Sequence, residues 1–213
     1  MDVIFLYAKE LNWQENLARV QEILPNTPIR VLDGGHVDSL KDAYRLVFDS
    51  VESDYFMMIE GDNYILPECA NFLNHSEPTK FWTTNKYGIQ YEHGGIKIMN
   101  SADCRRQLES NANIYKNFEI SANLMLQSNH SVLSEHRFDF SPRAEWVTLT
   151  KEMLKLYYWN HTDYLNRWLE HEVPNRIFYD DLMPIMKTLS FSQLFDYILP
   201  NLGKIYDSKF NNT

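Results

Sequence analysis

Cysteine, glycine and basic residues are all scarce in this chain of 213 residues. Its two cysteines, Cys69 and Cys104, are too few for a disulfide framework or a zinc site. They suit a reducing compartment, and a cytoplasmic location is expected. Lys and Arg total 20 against 29 Asp and Glu, a formal net charge of −9. That balance excludes a general nucleic-acid coat protein, whose affinity rests on a basic surface. No apolar run reaches the roughly eighteen residues of a membrane span. The opening Met1-Asp2-Val3-Ile4-Phe5-Leu6-Tyr7 lacks a basic leader and turns polar too early for a signal peptide, so it reads as a first core strand. Of only seven glycines, three (Gly88, Gly94 and Gly95) fall within residues 87–95, which marks that stretch as one where the backbone needs room.

What is present is apolar material for one core, with 44% hydrophobic and 14% aromatic residues. The length suits one domain or one domain with an appendage. Residues 2–8 are a near-continuous apolar run, the pattern of a strand buried on both faces. Trp13, Leu17, Val20, Ile23 and Leu24 recur at helical spacing, and Pro25 and Pro28 end that helix. A short strand at 29–32 follows. A helix over 40–51 comes next, capped by Ser39, and then a strand at 55–60. The order β-α-β-α-β predicts a mostly parallel sheet flanked by helices. Beyond it, 81–84 and 96–99 are expected as strands around a loop at 87–95. A helix at 101–110, a strand at 130–140 and a helix at 143–157 follow. The last residues, punctuated by Pro174, Pro184 and Pro200, predict a helical extension over 158–213 packed on a core of 1–157.

Ligands in such sheets bind beyond the carboxyl ends of the strands. The polar groups expected there are Lys9 and Glu10, then Asp33, then the pair in Tyr55-Phe56-Met57-Met58-Ile59-Glu60-Gly61-Asp62-Asn63. Side chains at i and i+2 of a strand point the same way, so Glu60 and Asp62 are expected to aim at one point, with Gly61 keeping the space between them clear. Two carboxylates there suit Mg²⁺ or Mn²⁺ bridged to substrate phosphates, although Gly-Asp-Asn is also ordinary turn chemistry. His136 or His161 is a candidate third ligand. Asp33 suits a nucleoside, or a turn cap before Gly34-Gly35. Ala8 and Lys9 would touch a base through backbone. Gly94 and Gly95 would let the backbone approach a ligand, and Lys97 would offer an ammonium to phosphate or stand solvated. Arg143, just inside a helix after Pro142, would meet an anion.

Three pieces in this order resemble a family. The acidic pair after the third strand, Tyr91-Glu92-His93-Gly94-Gly95-Ile96-Lys97-Ile98, and Arg137-Phe138-Asp139-Phe140-Ser141-Pro142-Arg143-Ala144-Glu145-Trp146 look like a GT-A-fold glycosyltransferase. More narrowly, the last two resemble the phage DNA-base glycosyltransferases and the relatives that make base J. Glu60 stands where that set commonly has Asp. The resemblance spans about residues 2–155. It implies a GT-A-like α/β fold and a metal-dependent transfer of sugar from a UDP-sugar donor to a hydroxyl, with a 5-hydroxymethylpyrimidine in phage DNA as the acceptor. A protein, lipid or glycan acceptor is the alternative. It also implies a base for an inverting reaction, for which Glu119 and then Glu135 are nominated. A nucleotidyltransferase would show a glycine-rich basic loop where Ala8-Lys9-Glu10-Leu11-Asn12 stands. A non-catalytic protein on the same fold would bind without turnover.

Overall fold

In the computed structural model, the described residues are 1–37, 40–86, 88, 90–110, 126–140 and 188. The chain divides into two compact units, Met1–Pro142 and Arg143–Thr213, and every element below belongs to the first. The boundary expected at 157, the helix at 143–157, the helical extension and the Ser39 cap lie outside the described residues.

The first half follows its periodicity closely. Strands β1 (Asp2–Tyr7), β2 (Ile29–Asp33) and β3 (Tyr55–Glu60) alternate with helices α1 (Trp13–Ile23) and α2 (Leu40–Ser50). Both β2 and β3 pair in parallel with β1. The second half is rearranged. Here lie β4 (Asn63–Ile65), β5 (Thr79–Thr84), β6 (Tyr91–Asn100), helix α3 (Ser101–Ser110) and β7 (Gln127–His136). The seven strands form one sheet in the order β2-β1-β3-β6-β5-β7-β4. Pairs β3·β6, β5·β6 and β4·β7 are antiparallel, whereas β5·β7 is parallel. The α/β class with flanking helices therefore holds, but the sheet is mixed, half of its pairings being antiparallel, where a mostly parallel one was expected. The cause lies in β6, which runs back beside β3 from the stretch expected as a loop. Glycines at 94 and 95 do not break that strand.

Both faces of the sheet are covered by apolar side chains. Val3, Phe5, Met57, Ile59, Ile96 and Ile98 pack with Val20 of α1 and with Leu24 just after it. Ile4, Phe56, Met58 and Met99 pack with Tyr44, Val47 and Phe48 of α2 and with Cys104 and Leu108 of α3. Alternate residues of each strand serve the two layers, and each fully buried Phe or Met contributes about 1.5–3 kcal/mol. Both cysteines are buried, Cys69 with its Sγ 3.6 Å from Met57 Sδ. Burial pushes both thiols up to about 12. Among the described residues no helix is long and apolar enough to cross a membrane.

Candidate functional site

The carboxyl ends of β1, β2, β3, β5 and β7 and the start of β6 converge on one end of the sheet, and most of the nominated residues that are described gather there. Gly61 N–H donates to Leu6 O at 2.8 Å, which carries the β1·β3 ladder one step past the end of β3. The chain then turns, and Asn63 enters β4 opposite His136 of β7. This change of partner ends the simple alternation of the strand, so the i, i+2 rule stops at Glu60.

The two acids accordingly have different partners. Glu60 points with Phe56 and Met58 into the layer beneath α2 and α3, where its Oε1 accepts from Lys97 Nζ at 2.7 Å. Lys97 is fully buried. It is neither a solvated strand lysine nor an ammonium at the surface of a cleft. Asp62 lies on the other side of the turn. Its Oδ1 accepts from Asn63 Nδ2 at 2.7 Å, and its Oδ2 is 3.3 Å from His136 Nε2. His136, 2% exposed, has its Nδ1 2.9 Å from the hydroxyl of buried Tyr91. Asn16, a wholly buried residue on the inner face of α1, donates through Nδ2 to Gly61 O at 2.8 Å and Asn63 O at 3.0 Å. The turn is thereby pinned to α1.

Glu10, named above only as a polar strand end, belongs to this site. Its carboxylate accepts from the Ala8 N–H. A methyl group on Gly61 would lie 3.2 Å from Glu10 Oε2, which puts that carboxylate beside the turn. Burial raises the Glu10 pKa, and the negative charge of Asp62 raises it further, against the Ala8 amide that lowers it. The sequence carried one signal for it: an acid just after an apolar strand. Nothing in the sequence singled out Tyr91, Asn63 or Asn16 as a group, because their meeting depends on β4 and β7, a pairing 71 residues apart for the contact from Ser134 Oγ to Asn63 Oδ1.

At the end of β2, Asp33 Oδ1 accepts from Gly35 N–H at 2.7 Å, the turn-cap role, and Oδ2 lies 2.9 Å from exposed His36. Partial burial and the Asp33 charge raise the pKa of Tyr7, whose ring stacks on Trp13 with centroids 4.0 Å apart. Ala8 and Lys9 are exposed. A side chain on Gly35 would strike the Ala8 carbonyl, and one on Gly95 would strike the Asn63 carboxamide. The neighbour that Gly95 accommodates is thus a side chain of the protein itself. Glu135 alternates with Ser134 and His136 on β7, facing the side where Tyr64 is its ladder partner and Arg137 feels its charge. Glu119, Arg143 and His161 lie outside the described residues, as does the side chain of His93. A shallow open depression of about 320 Å³, lined by Met1, Asp54, Tyr55 and His75 among others, lies at the opposite end of the sheet and holds none of the nominated residues.

The donor set suits a hard cation in one respect. Among the described residues no three His, Cys, Asp or Glu side chains form a metal-holding group by themselves. Mg²⁺ and Mn²⁺ sites, however, commonly use one or two carboxylates and leave the remaining positions to phosphate and water. Asp62 with Glu10 beside it, the Asp62 charge raising the Glu10 pKa, is a donor set of that kind. Glu60, already neutralised by Lys97, fits it less well.

No family model matches the chain, and neither does any curated protein. Some solved structures resemble it loosely. The bifunctional IspDF from Campylobacter jejuni aligns with a TM-score of 0.42 and 11% identity over 62% of this chain and 49% of that one. S. aureus TarS aligns with a TM-score of 0.42 and 12% identity over 72% and 66%. A glycosyltransferase involved in glycosylation of the major capsid of PBCV-1 aligns with a TM-score of 0.38 and 10% identity over 62% and 83%. The chain thus spans from about half to two thirds of the first two.

Proposed function

We propose that this chain transfers a sugar from a nucleoside diphosphate donor, a UDP-sugar, to a hydroxyl, at the carboxyl end of its sheet and with Mg²⁺ or Mn²⁺. The observation that carries the reading is the Asp62 carboxylate. It stands at the ligand end of an α/β sheet, with the Asn63 carboxamide on one oxygen, the His136 ring near the other, and a second acid, Glu10, beside it. Asp62 and Glu10 would hold the cation, with His136 beside them. When bound, the cation neutralises charge on the departing diphosphate. Asp62 orients that ion. Asp33 and Tyr7, with Ala8 and Lys9, form the nucleoside side, and Gly94 is the remaining donor contact proposed. Glu60 takes a supporting part through Lys97. For the proton lost by the acceptor hydroxyl, Glu119 and Glu135 are the two proposed bases.

The resemblance in Tyr91–Ile98 and in residues 137–146 supports a 5-hydroxymethylpyrimidine in DNA as acceptor. The test is a panel of UDP-sugars offered to hydroxymethylated DNA and to a glycan acceptor, with and without Mn²⁺, read by mass spectrometry. Asp62→Ala is expected to lose transfer by about 100-fold or more while melting within a few degrees of the parent. Transfer at the parent rate by that variant would sink the reading. A mass shift on the glycan alone would move the acceptor and leave the donor site standing.

A further inference from the structure

Strand β6 opens on Tyr91-Glu92-His93-Gly94-Gly95, and two of these residues reach Asp62 through one intermediary each. The Tyr91 hydroxyl, 2.9 Å from His136 Nδ1, fixes the ring whose Nε2 lies 3.3 Å from Asp62 Oδ2. Gly95 leaves a space that the Asn63 carboxamide fills, and a methyl group there would overlap it. That carboxamide, wholly buried, donates to Asp62 Oδ1 at 2.7 Å and accepts from Ser134 Oγ at 3.2 Å. Each oxygen of the carboxylate is therefore met by a group whose own place depends on the start of β6.

We infer that Tyr91 and Gly95 are positioning residues for the Asp62 carboxylate, acting through His136 and Asn63 respectively. The inference rests on the reading of Asp62 as the donor-site ligand. The physical ground is that a partly exposed aspartate has a freely turning carboxylate unless something holds it. A buried amide on one oxygen and a buried imidazole on the other set both its plane and its direction. Ligand-orienting partners of this kind weaken metal binding by about 10–100-fold when removed. Gly95 on this account is required by the volume of Asn63 and contacts no ligand.

The test compares the parent with Tyr91→Phe, Asn63→Ser, Gly95→Ala and the double variant Gly95→Ala/Asn63→Ser. Each is melted without ligand, and each is titrated calorimetrically with UDP in the presence of MnCl₂. Gly95→Ala is expected to lose about tenfold or more in UDP affinity. Adding Asn63→Ser, which shortens the side chain and keeps a hydroxyl donor for Asp62, is expected to restore most of that loss and most of the melting temperature. Tyr91→Phe removes one oxygen and keeps the ring, so about tenfold weaker UDP binding is expected with little change in melting. Parent-like UDP affinity in folded Gly95→Ala or in Tyr91→Phe overturns the inference. So does a double variant whose melting shift is the sum of its singles, whatever Asp62 does. If Gly95→Ala fails to fold, Tyr91→Phe decides. Parent-like binding of UDP and Mn²⁺ by Asp62→Asn overturns the donor-site reading instead, and the melting coupling separates the two failures.

Discussion

Glu60 and Asp62 are two residues apart, and their surroundings have little in common. Glu60 shares an ion pair with an ammonium that is wholly buried beneath α2 and α3. Asp62 is held by a carboxamide and faces an imidazole, with another acid close by. One carboxylate has its charge answered by the fold itself. The other is oriented by a carboxamide and an imidazole, and a second carboxylate, Glu10, stands beside it. The spacing of two acids in a sequence thus says little about a shared ligand once the strand that carries them changes partner between them. What distinguishes them is which neighbour arrives from β6 and β7.

The largest effect expected from this contrast is on stability. Glu60→Leu removes the counter-charge of a buried ammonium and is expected to cost about 3–5 kcal/mol, read by urea unfolding. Pairing it with Lys97→Met is expected to recover much of that. If Glu60→Leu instead left stability intact and abolished UDP binding with Mn²⁺, the two acids would belong to one site after all. A smaller loss is expected at the other acid's support. Asn16→Leu deprives Gly61 O and Asn63 O of their donor, at about 1–3 kcal/mol, and is expected to weaken UDP binding as well, because the turn that carries Asp62 comes loose from α1. An effect on stability alone would show that the turn keeps its shape without that anchor.

The smallest effect sharpens the charge argument. A carboxyl whose folded-state pKa exceeds its unfolded value holds its proton more tightly in the folded chain. Glu10 therefore costs stability above the usual glutamate range, and that cost disappears as pH falls below it. Glu10→Gln is expected to melt about 1–2 °C higher than the parent near neutral pH and no higher in acid, measured by melting across pH. In the same variant the Mn²⁺ dependence of UDP binding is expected to weaken.

The first three strands and first two helices were legible from the sequence because their information is local. Val3, Ile4 and Phe5 announce a doubly covered strand, and the helical spacing of Trp13, Leu17 and Val20 announces α1. The second half was not legible in the same way. Asn63-Tyr64-Ile65 has the composition of a turn, yet it is drawn into β4 by β7 about seventy residues later. Tyr91 to Gly95 has the composition of a loop, yet it is strand, with the glycine spent on side-chain volume. The same separation explains the site. Asp62 stood out locally, whereas its fixing by Asn63, His136 and Tyr91 needed the sheet.

The two buried thiols have a practical consequence. Cys69 and Cys104 sit in opposite apolar layers, and both are held protonated far above neutral pH. A thiolate is the reactive species, so an alkylating reagent meets neither in the closed fold. Each sulfur is then a clock for its own layer: the rate at which it is labelled reports how often that half of the interior opens to water, and mass spectrometry of the two peptides times both halves in a single reaction.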